Sequence, residues 1–595
     1  MHTHSTRSRR RRTVVALAVV LAVLGVFVVR LVDIQVVNAD EHISDSHERA
    51  FGAEQPLYGT RGSIVDASGQ VLAGSILEYD CQLDPLLVTQ IDSSIASGDS
   101  DAQPWSRISV ELAAILDFEV DDVQSILGDA LAEDPESRYA PLADGVSTGE
   151  YRQIAELSMP YLYCQAQPAR TYPDGAVGGN LVGFMGSDGV ALEGLELSQD
   201  QCLAATDGER SYLRGKDGVT IPGTDREVPA VDGGTLQLTI DRDLQWYMQQ
   251  LIAEQAQDMG ALSGAVLVLE TATGKIRAAA EYPSVDPNDV GASDADDRSS
   301  RIFRGTFEPG STFKTLTAAT VMDAGGQTPT STVVSSGYET FANGAVVRDA
   351  FGHEAYTYTL AGVLIDSSNA GISHFSERVD NQTRYDYFTN FGIGQDTAVD
   401  FPGEEPGVVH PVAEWDNQTV YNTSYGQGLT TTMPQLAGAY AAIANDGVRM
   451  PLSLVESCTM SDGTVVEPEA GEPVRVVSEQ TATQTREILE NVFLQSSMAD
   501  VLEIPGYRVG GKTGTGEKFD PATGRYKAGA YYTTMIGMAP IEDPEYVVVV
   551  TLDEPTRVKS SAANATAFQK AMTQVLKHYR VMPSTAAPTM LPKFG

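Results

Sequence analysis

Residues 13–29 carry no charged side chain and are almost wholly Val, Ala and Leu, while the segment before them holds Arg7, Arg9, Arg10, Arg11 and Arg12 and no acid. Hydrocarbon offers a peptide group no hydrogen-bond partner, so a run of this kind is restricted to a helix that satisfies its own backbone. Seventeen residues lie at the short end of what spans a bilayer, but Leu31 and Val32 lengthen the run if Arg30 snorkels to the interface. Residues 13–32 are therefore expected to form a transmembrane helix. The arginine cluster predicts residues 1–12 as a cytoplasmic tail and everything beyond as extracytoplasmic. The competing reading is a signal peptide cleaved after Val37-Asn38-Ala39, a site ten residues past the apolar run with Arg30 and Asp33 between.

Beyond residue 32 the chain carries 34 basic and 80 acidic groups, a net charge of −46 against −40 for all 595 residues. So acidic a surface argues against nucleic acid as a partner. With 42% hydrophobic and 20% charged residues the chain is an ordinary globular one of two to four domains, which excludes disorder and fibre. Only ten of the 40 basic residues are Lys, and all ten follow residue 215, so a Lys inside a motif carries unusual information. The four cysteines, Cys81, Cys164, Cys202 and Cys458, include no Cys-x-x-Cys and no metal-like His spacing, and zinc is not expected. Disulfides are permitted outside the cytoplasm, and buried free thiols fit the sequence equally well.

Residues 33–234 mix short apolar runs with Asp, Ser and Gly, with helical spacing over 108–116 and 120–131 and no internal repeat. A second domain is expected to start at Thr235. There 236–240 alternates as a strand, and Asp241 is placed to cap a helix running to about 257. Residues 264–270 and 275–281 form a hairpin pattern around Thr271-Ala272-Thr273-Gly274. Three more strands are expected at 507–515, 531–539 and 546–552, then a helix over 562–579. A sheet drawn from both ends of a domain, with a helix-rich insert between, predicts an α/β sandwich for residues 235–580, followed by a tail at 581–595.

Three motifs occur in order in that domain: Ser311-Thr312-Phe313-Lys314, Ser367-Ser368-Asn369 and Lys512-Thr513-Gly514-Thr515. The first alone arises by chance about once in a chain with ten Lys; all three in order are far rarer. Pro309-Gly310 breaks the chain before a helical pattern from Ser311 to Ala324, which puts Ser311 and Lys314 one turn apart on one face. Serine needs an adjacent base to become a nucleophile, and a lysine becomes one when burial or a second cation lowers its pKa; Lys512 is the candidate cation. Ser367 is suited to relay a proton and Asn369 to hold a peptide backbone. On the strand, Gly510, Gly511 and Gly514 are expected to let a substrate backbone approach, with Lys512, Thr513 and Thr515 as carboxylate donors. The N–H groups of Ser311 and Thr515 are candidate oxyanion donors. No Gly-x-Ser-x-Gly elbow offers a competing nucleophile.

With these motifs the chain resembles a class B penicillin-binding protein, a monofunctional peptidoglycan D,D-transpeptidase, over nearly its whole length. Arg61-Gly62-Ser63-Ile64-Val65-Asp66 with Gly69, Leu72 and Ala73 is similar to the family's first pedestal motif, with Ala67 and Ser68 in place of the usual Arg-Asn. Arg170-Thr171-Tyr172-Pro173, Gly183 and Gly194-Leu195-Glu196 are similar to the later ones. Phe391-Gly392-Ile393-Gly394, Phe401-Pro402-Gly403-Glu404, Tyr425-Gly426-Gln427-Gly428 and Thr432-Met433-Pro434-Gln435 look most like the cell-division branch, with the elongation branch as the alternative. The segment 560–568 departs from the family's usual Gly-Gly and Ala-Pro-x-Phe pattern.

The resemblance implies a fold of three parts: a transmembrane helix, a mixed α+β pedestal over 33–234, and a serine β-lactamase-like domain with an antiparallel sheet flanked by helices. It implies Ser311, Lys314 and Ser367 as catalytic residues and Asn369, Lys512, Thr513, Gly514 and Thr515 as substrate-binding ones. No cofactor or metal is implied. The implied partners are peptidoglycan stem peptides as donor and acceptor, β-lactams acylating the same serine, the cell membrane, and glycosyltransferase or divisome membrane proteins. Competing readings are a β-lactamase, disfavoured by the anchor, the pedestal and the lack of a Glu-x-x-Leu-Asn segment; a β-lactam-binding sensor or scaffold; and a bifunctional synthase, for which 33–234 lacks a Glu-Asp-x-x-Phe signature.

Overall fold

The computed structural model describes residues 5–32, 54–98, 102–213, 224–469, 471–520 and 522–595. Ser5–Val32 is one helix, continuous through the arginine cluster, and its Arg11–Val32 part is long and apolar enough to cross a bilayer. The competing cleavage site at Val37-Asn38-Ala39 lies outside the described residues.

Two compact units divide the chain. The first, Met1–Gly59 with Ala205–Val231, contains this helix and an antiparallel sheet in which Gly208–Ser211 pairs with both Glu54–Leu57 and Arg226–Val228. The second, Thr60–Ala204 with Asp232–Gly595, holds all three motifs.

Its centre is a five-stranded antiparallel sheet in the order Ile276–Tyr282, Ser263–Glu270, Tyr546–Asp553, Arg525–Ala539, Gly510–Asp520. Each overlaps one of the five strands read from the sequence, though Gly510–Asp520 starts and ends later than read and Arg525–Ala539 starts earlier. Successive residues point to opposite faces, and here both faces are covered. Val266, Val268, Val548 and Val550 meet the helices Arg242–Met259 and Ala565–His578 in one apolar cluster. Leu267, Leu269, Val547 and Val549 meet Met433–Ala444 in another. Asp241 caps the first helix as expected, its side chain accepting from Leu244 N at 2.9 Å. Gly510–Asp520 closes one side of the sheet and is an edge strand.

The strand Thr235–Leu238 belongs to a different sheet. It pairs in parallel with Ile64–Val65 and antiparallel with Val455–Thr459, so segments far apart in sequence share one ladder. Next to it Cys202 and Cys458 are joined by a disulfide, and Cys81 and Cys164 are joined across the directly opposed strands Val71–Leu83 and Leu162–Thr171. Both cysteine pairs are thus oxidised, the alternative that spacing left open. Around Glu196, which is fully buried, three family-like segments converge: Arg61 and Arg170 each donate to its carboxylate at 2.7 Å, and Tyr172 Oη does so at 3.3 Å. A buried carboxylate needs such pairing.

Candidate active site

Gly310 adopts φ +54°, a left-handed conformation that favours glycine, and Gly310–Phe313 forms a 3₁₀ turn that passes into the helix Lys314–Asp323. The sequence predicts an unbroken helix from Ser311; the 3₁₀ start differs in that residues i and i+3 eclipse, which aligns Ser311 with Lys314 more closely than an α turn would. Lys314 Nζ donates to Ser311 Oγ at 3.0 Å. The turn is fixed from behind. Gly310 N donates to Gly426 O at 3.0 Å, and Tyr440 Oη donates to Thr312 O at 2.7 Å. Gly426 has φ +79°, and a Cβ there would stand 2.3 Å from Gly310 O. Gly426 and Tyr440 were not read as site residues, although the first lies in a Gly-rich motif already singled out.

Ser367 lies between the helices Leu360–Ile365 and Asn369–Ser376 at φ +57°, unusual for a residue with a Cβ. Its Oγ accepts from Lys314 Nζ at 3.2 Å and from Lys512 Nζ at 3.0 Å, and its carbonyl also accepts from Lys314 Nζ. The helix cap in this motif is the middle residue: Ser368 Oγ accepts from Gly371 N at 2.8 Å and donates to Asp349 Oδ2 at 2.7 Å. Asp349 also accepts from Ala370 N at 2.9 Å and pairs with His353 Nε2 at 2.9 Å. Sequence reasoning missed Asp349 and His353, whose one signal is an acid and a base four residues apart in a loop. Asn369 is part-exposed, with its Nδ2 on Arg348 O at 2.9 Å.

Lys512 is buried at 1% exposure on the edge strand, Thr513 is half-buried and Thr515 is exposed, its Oγ1 accepting from Ser561 N at 3.2 Å. The strand glycines have a packing reason of their own. A Cβ on Gly510 would meet Ile541 and the backbone of Glu490, one on Gly511 would meet Ile536 O and Phe493, and one on Gly514 would stand 2.7 Å from Pro309 O. These glycines make room for the protein's own packing, and Gly514 in particular lets the strand close on the Gly310–Phe313 turn.

Burial pushes the Lys314 amine well below its ordinary pKa, the charge on Lys512 pushes it further, and Asp349 opposes both. Burial alone brings Lys512 down to about 7. The lowered pKa favours the unprotonated form of Lys314 beside a serine hydroxyl, the condition for a general base. Ser311, Lys314, Ser367 and Lys512 form one connected set, to which Thr513 is joined through its carbonyl, accepting from Lys512 Nζ at 3.2 Å, while the side chains of Asn369 and Thr515 bond elsewhere. Among the described residues no group of three or more His, Cys, Asp or Glu is arranged to hold a metal.

The family profile for the penicillin binding protein transpeptidase domain matches residues 264–573, and that for the penicillin-binding protein dimerisation domain matches 56–238. The penicillin-binding protein PbpB of Mycolicibacterium smegmatis is 33% identical over 94% of this chain and 89% of its own. The peptidoglycan D,D-transpeptidase FtsI of Escherichia coli is 28% identical over 95% of this chain and 91% of its own. The crystal structure of penicillin-binding protein 3 from Mycobacterium tuberculosis complexed with aztreonam is similar at TM-score 0.69 and 29% identity, covering 90% of this chain and 99% of that one.

Proposed function

Because the chain belongs to the class B penicillin-binding proteins, we propose that it is a membrane-anchored serine D,D-transpeptidase that crosslinks peptidoglycan stem peptides in septal wall synthesis. The observation that carries the reading is the buried Lys314 amine, in hydrogen-bond reach of Ser311 Oγ and Ser367 Oγ at once. In this mechanism Ser311 Oγ attacks the carbonyl of the penultimate D-Ala while Lys314 accepts its proton. The proton then passes through Ser367 to the departing D-Ala amine. Lys512, Thr513 and Thr515 hold the terminal carboxylate, Asn369 holds the stem-peptide backbone, and Gly514 keeps the strand against the serine. The N–H groups of Ser311 and Thr515 take the oxyanion. An amine from a second stem peptide resolves the ester, and a β-lactam acylates Ser311 by the same attack. Residues 33–234 are the pedestal and 235–580 the transpeptidase domain. The arginine cluster keeps the amino terminus cytoplasmic, and the partners are glycosyltransferase or divisome membrane proteins.

Names among the relatives support the division branch over elongation. In membranes, fluorescent penicillin should label the wild-type chain covalently and leave Ser311→Ala unlabelled. Absence of the band in wild type would overturn the reading. Rapid repeated turnover of penicillin would make the chain a β-lactamase, and a Ser311→Ala chain that still supports division would make it a scaffold.

A further inference from the structure

Ser367 presents both its hydroxyl and its carbonyl to Lys314 from a left-handed backbone conformation that a residue with a Cβ rarely keeps unless its neighbours hold it there. On the following side the hold is local, through Ser368 and Ala370 on Asp349. On the preceding side it comes from 227 residues away. Asp366, directly before Ser367, receives Lys593 Nζ on one carboxylate oxygen at 2.7 Å and Tyr358 Oη on the other at 3.2 Å.

Lys593 sits in a segment that is itself tied down at several points. Thr359 N donates to Lys593 O at 3.0 Å, Thr359 Oγ1 donates to Pro592 O at 2.6 Å, and Gly595 N donates to Thr357 O at 3.0 Å. The Phe594 ring packs against Tyr356 and Tyr358, with centroids 5.2 and 5.1 Å apart. A Cβ on Gly362 would lie 1.9 Å from Lys593 O, so the helix Leu360–Ile365, which ends two residues before Ser367, carries its glycine where the segment crosses it. Upstream, Asn491 Nδ2 donates to Thr589 O at 2.8 Å and Gln495 Nε2 to Leu591 O at 2.9 Å. Asn491 lies in the helix Glu479–Leu494 and Gln495 caps its end; Glu490 and Phe493 of that helix lie against Gly510 and Gly511 on the Lys512 strand.

We propose that residues 589–595 form a strap that positions the Ser367 turn against Lys314 and Lys512, with Lys593 and Asp366 as its positioning residues. The strap joins the turn to the helix backing the Lys512 strand, so the two sides of the proposed catalytic set are held in one frame. Neither residue touches substrate; both act through the backbone of Ser367. The inference rests on the acyl-transfer reading above.

The test is the rate of acylation of the full-length membrane protein by fluorescent penicillin, resolved into an apparent Kd and a maximal rate and measured beside the thermal midpoint. Lys593→Met should lower the maximal rate about tenfold or more with the apparent Kd unchanged, because a small displacement at a reacting centre costs far more in rate than in binding. Lys593→Arg should restore it. Asp366→Asn, which keeps the side chain's shape, should slow acylation similarly whether or not Lys593→Met folds well, and the double variant should be no slower than either single one. A labelled wild type with an unchanged maximal rate in Lys593→Met or Asp366→Asn, losses that multiply in the double variant, or a change confined to the apparent Kd would each overturn the positioning role while leaving the acyl-transfer reading intact. An unlabelled wild type would fall on that reading instead.

Discussion

At the scale of single residues, the two buried lysines do different work with the same side chain. Lys314, at 0% exposure, is held well below its ordinary pKa by burial and by the charge on Lys512, as the proposed base requires; Lys512 is brought down to about 7 by burial. A base whose pKa falls on folding binds fewer protons in the native state than in the unfolded one between its two values. Stability must then rise with pH over that window. For Lys512 the window runs from about 7 to an exposed lysine's ordinary value of about 10.4. Lys512→Met should flatten the rise in urea midpoint between pH 7 and 10; parallel curves for wild type and variant would refute the assignment. The scarcity of lysine made both residues conspicuous in the sequence. Asp349 and His353 were not, since an acid and a histidine in a loop say nothing until the fold brings them under Ser368 and Ala370.

At the scale of elements, the edge strand Gly510–Asp520 and the 3₁₀ turn Gly310–Phe313 come together only because each is stripped of side-chain volume where they meet. Gly514→Ala would drive a methyl group into Pro309 O and Thr312 Cγ2, at 2.7 and 3.0 Å, and the contact is backbone that yields only by moving the strand. A stability loss of about 1–3 kcal/mol is expected from such overpacking, together with slower acylation as Lys512 retreats from Ser367. Urea unfolding and penicillin labelling measure the two, and an alanine variant equal to wild type in both would show that the strand has slack. The strands and helices here were largely legible, because apolar runs of 7–8 residues punctuated by Thr-Gly turns have few other readings. The purpose of the glycines was not legible, since a pattern of glycines does not say whether substrate or protein fills the space beside them.

At the scale of the whole molecule, the Cys202–Cys458 bond ties strand Val455–Thr459 to a segment 256 residues earlier, beside the ladder that Thr235–Leu238 shares with Ile64–Val65. Closing so long a loop restricts the unfolded chain, and replacing both cysteines by serine should destabilise the protein by about 2–5 kcal/mol. Chemical denaturation of the two proteins without reductant measures this, and coincident unfolding curves would mean that the disulfide adds nothing to the interlocked sheet.

What the sequence determined by itself was the chemistry and its order along the chain. A charge-free apolar run with an arginine cluster admits a membrane helix, alternating and helical periodicities locate most core elements, and Ser311, Lys314, Ser367 and Lys512 declare themselves through short spacings whose meaning is local. What only the tertiary structure decided was everything that depends on long sequence separation. Pairing of the four cysteines, the sheet that takes strands from 64, 235 and 455, the glycines that make room for neighbours, and the path of residues 589–595 to Asp366 are all contacts between segments dozens to hundreds of residues apart. Local propensity carries no term for such contacts, and they form because burial of the apolar faces leaves these segments adjacent in space.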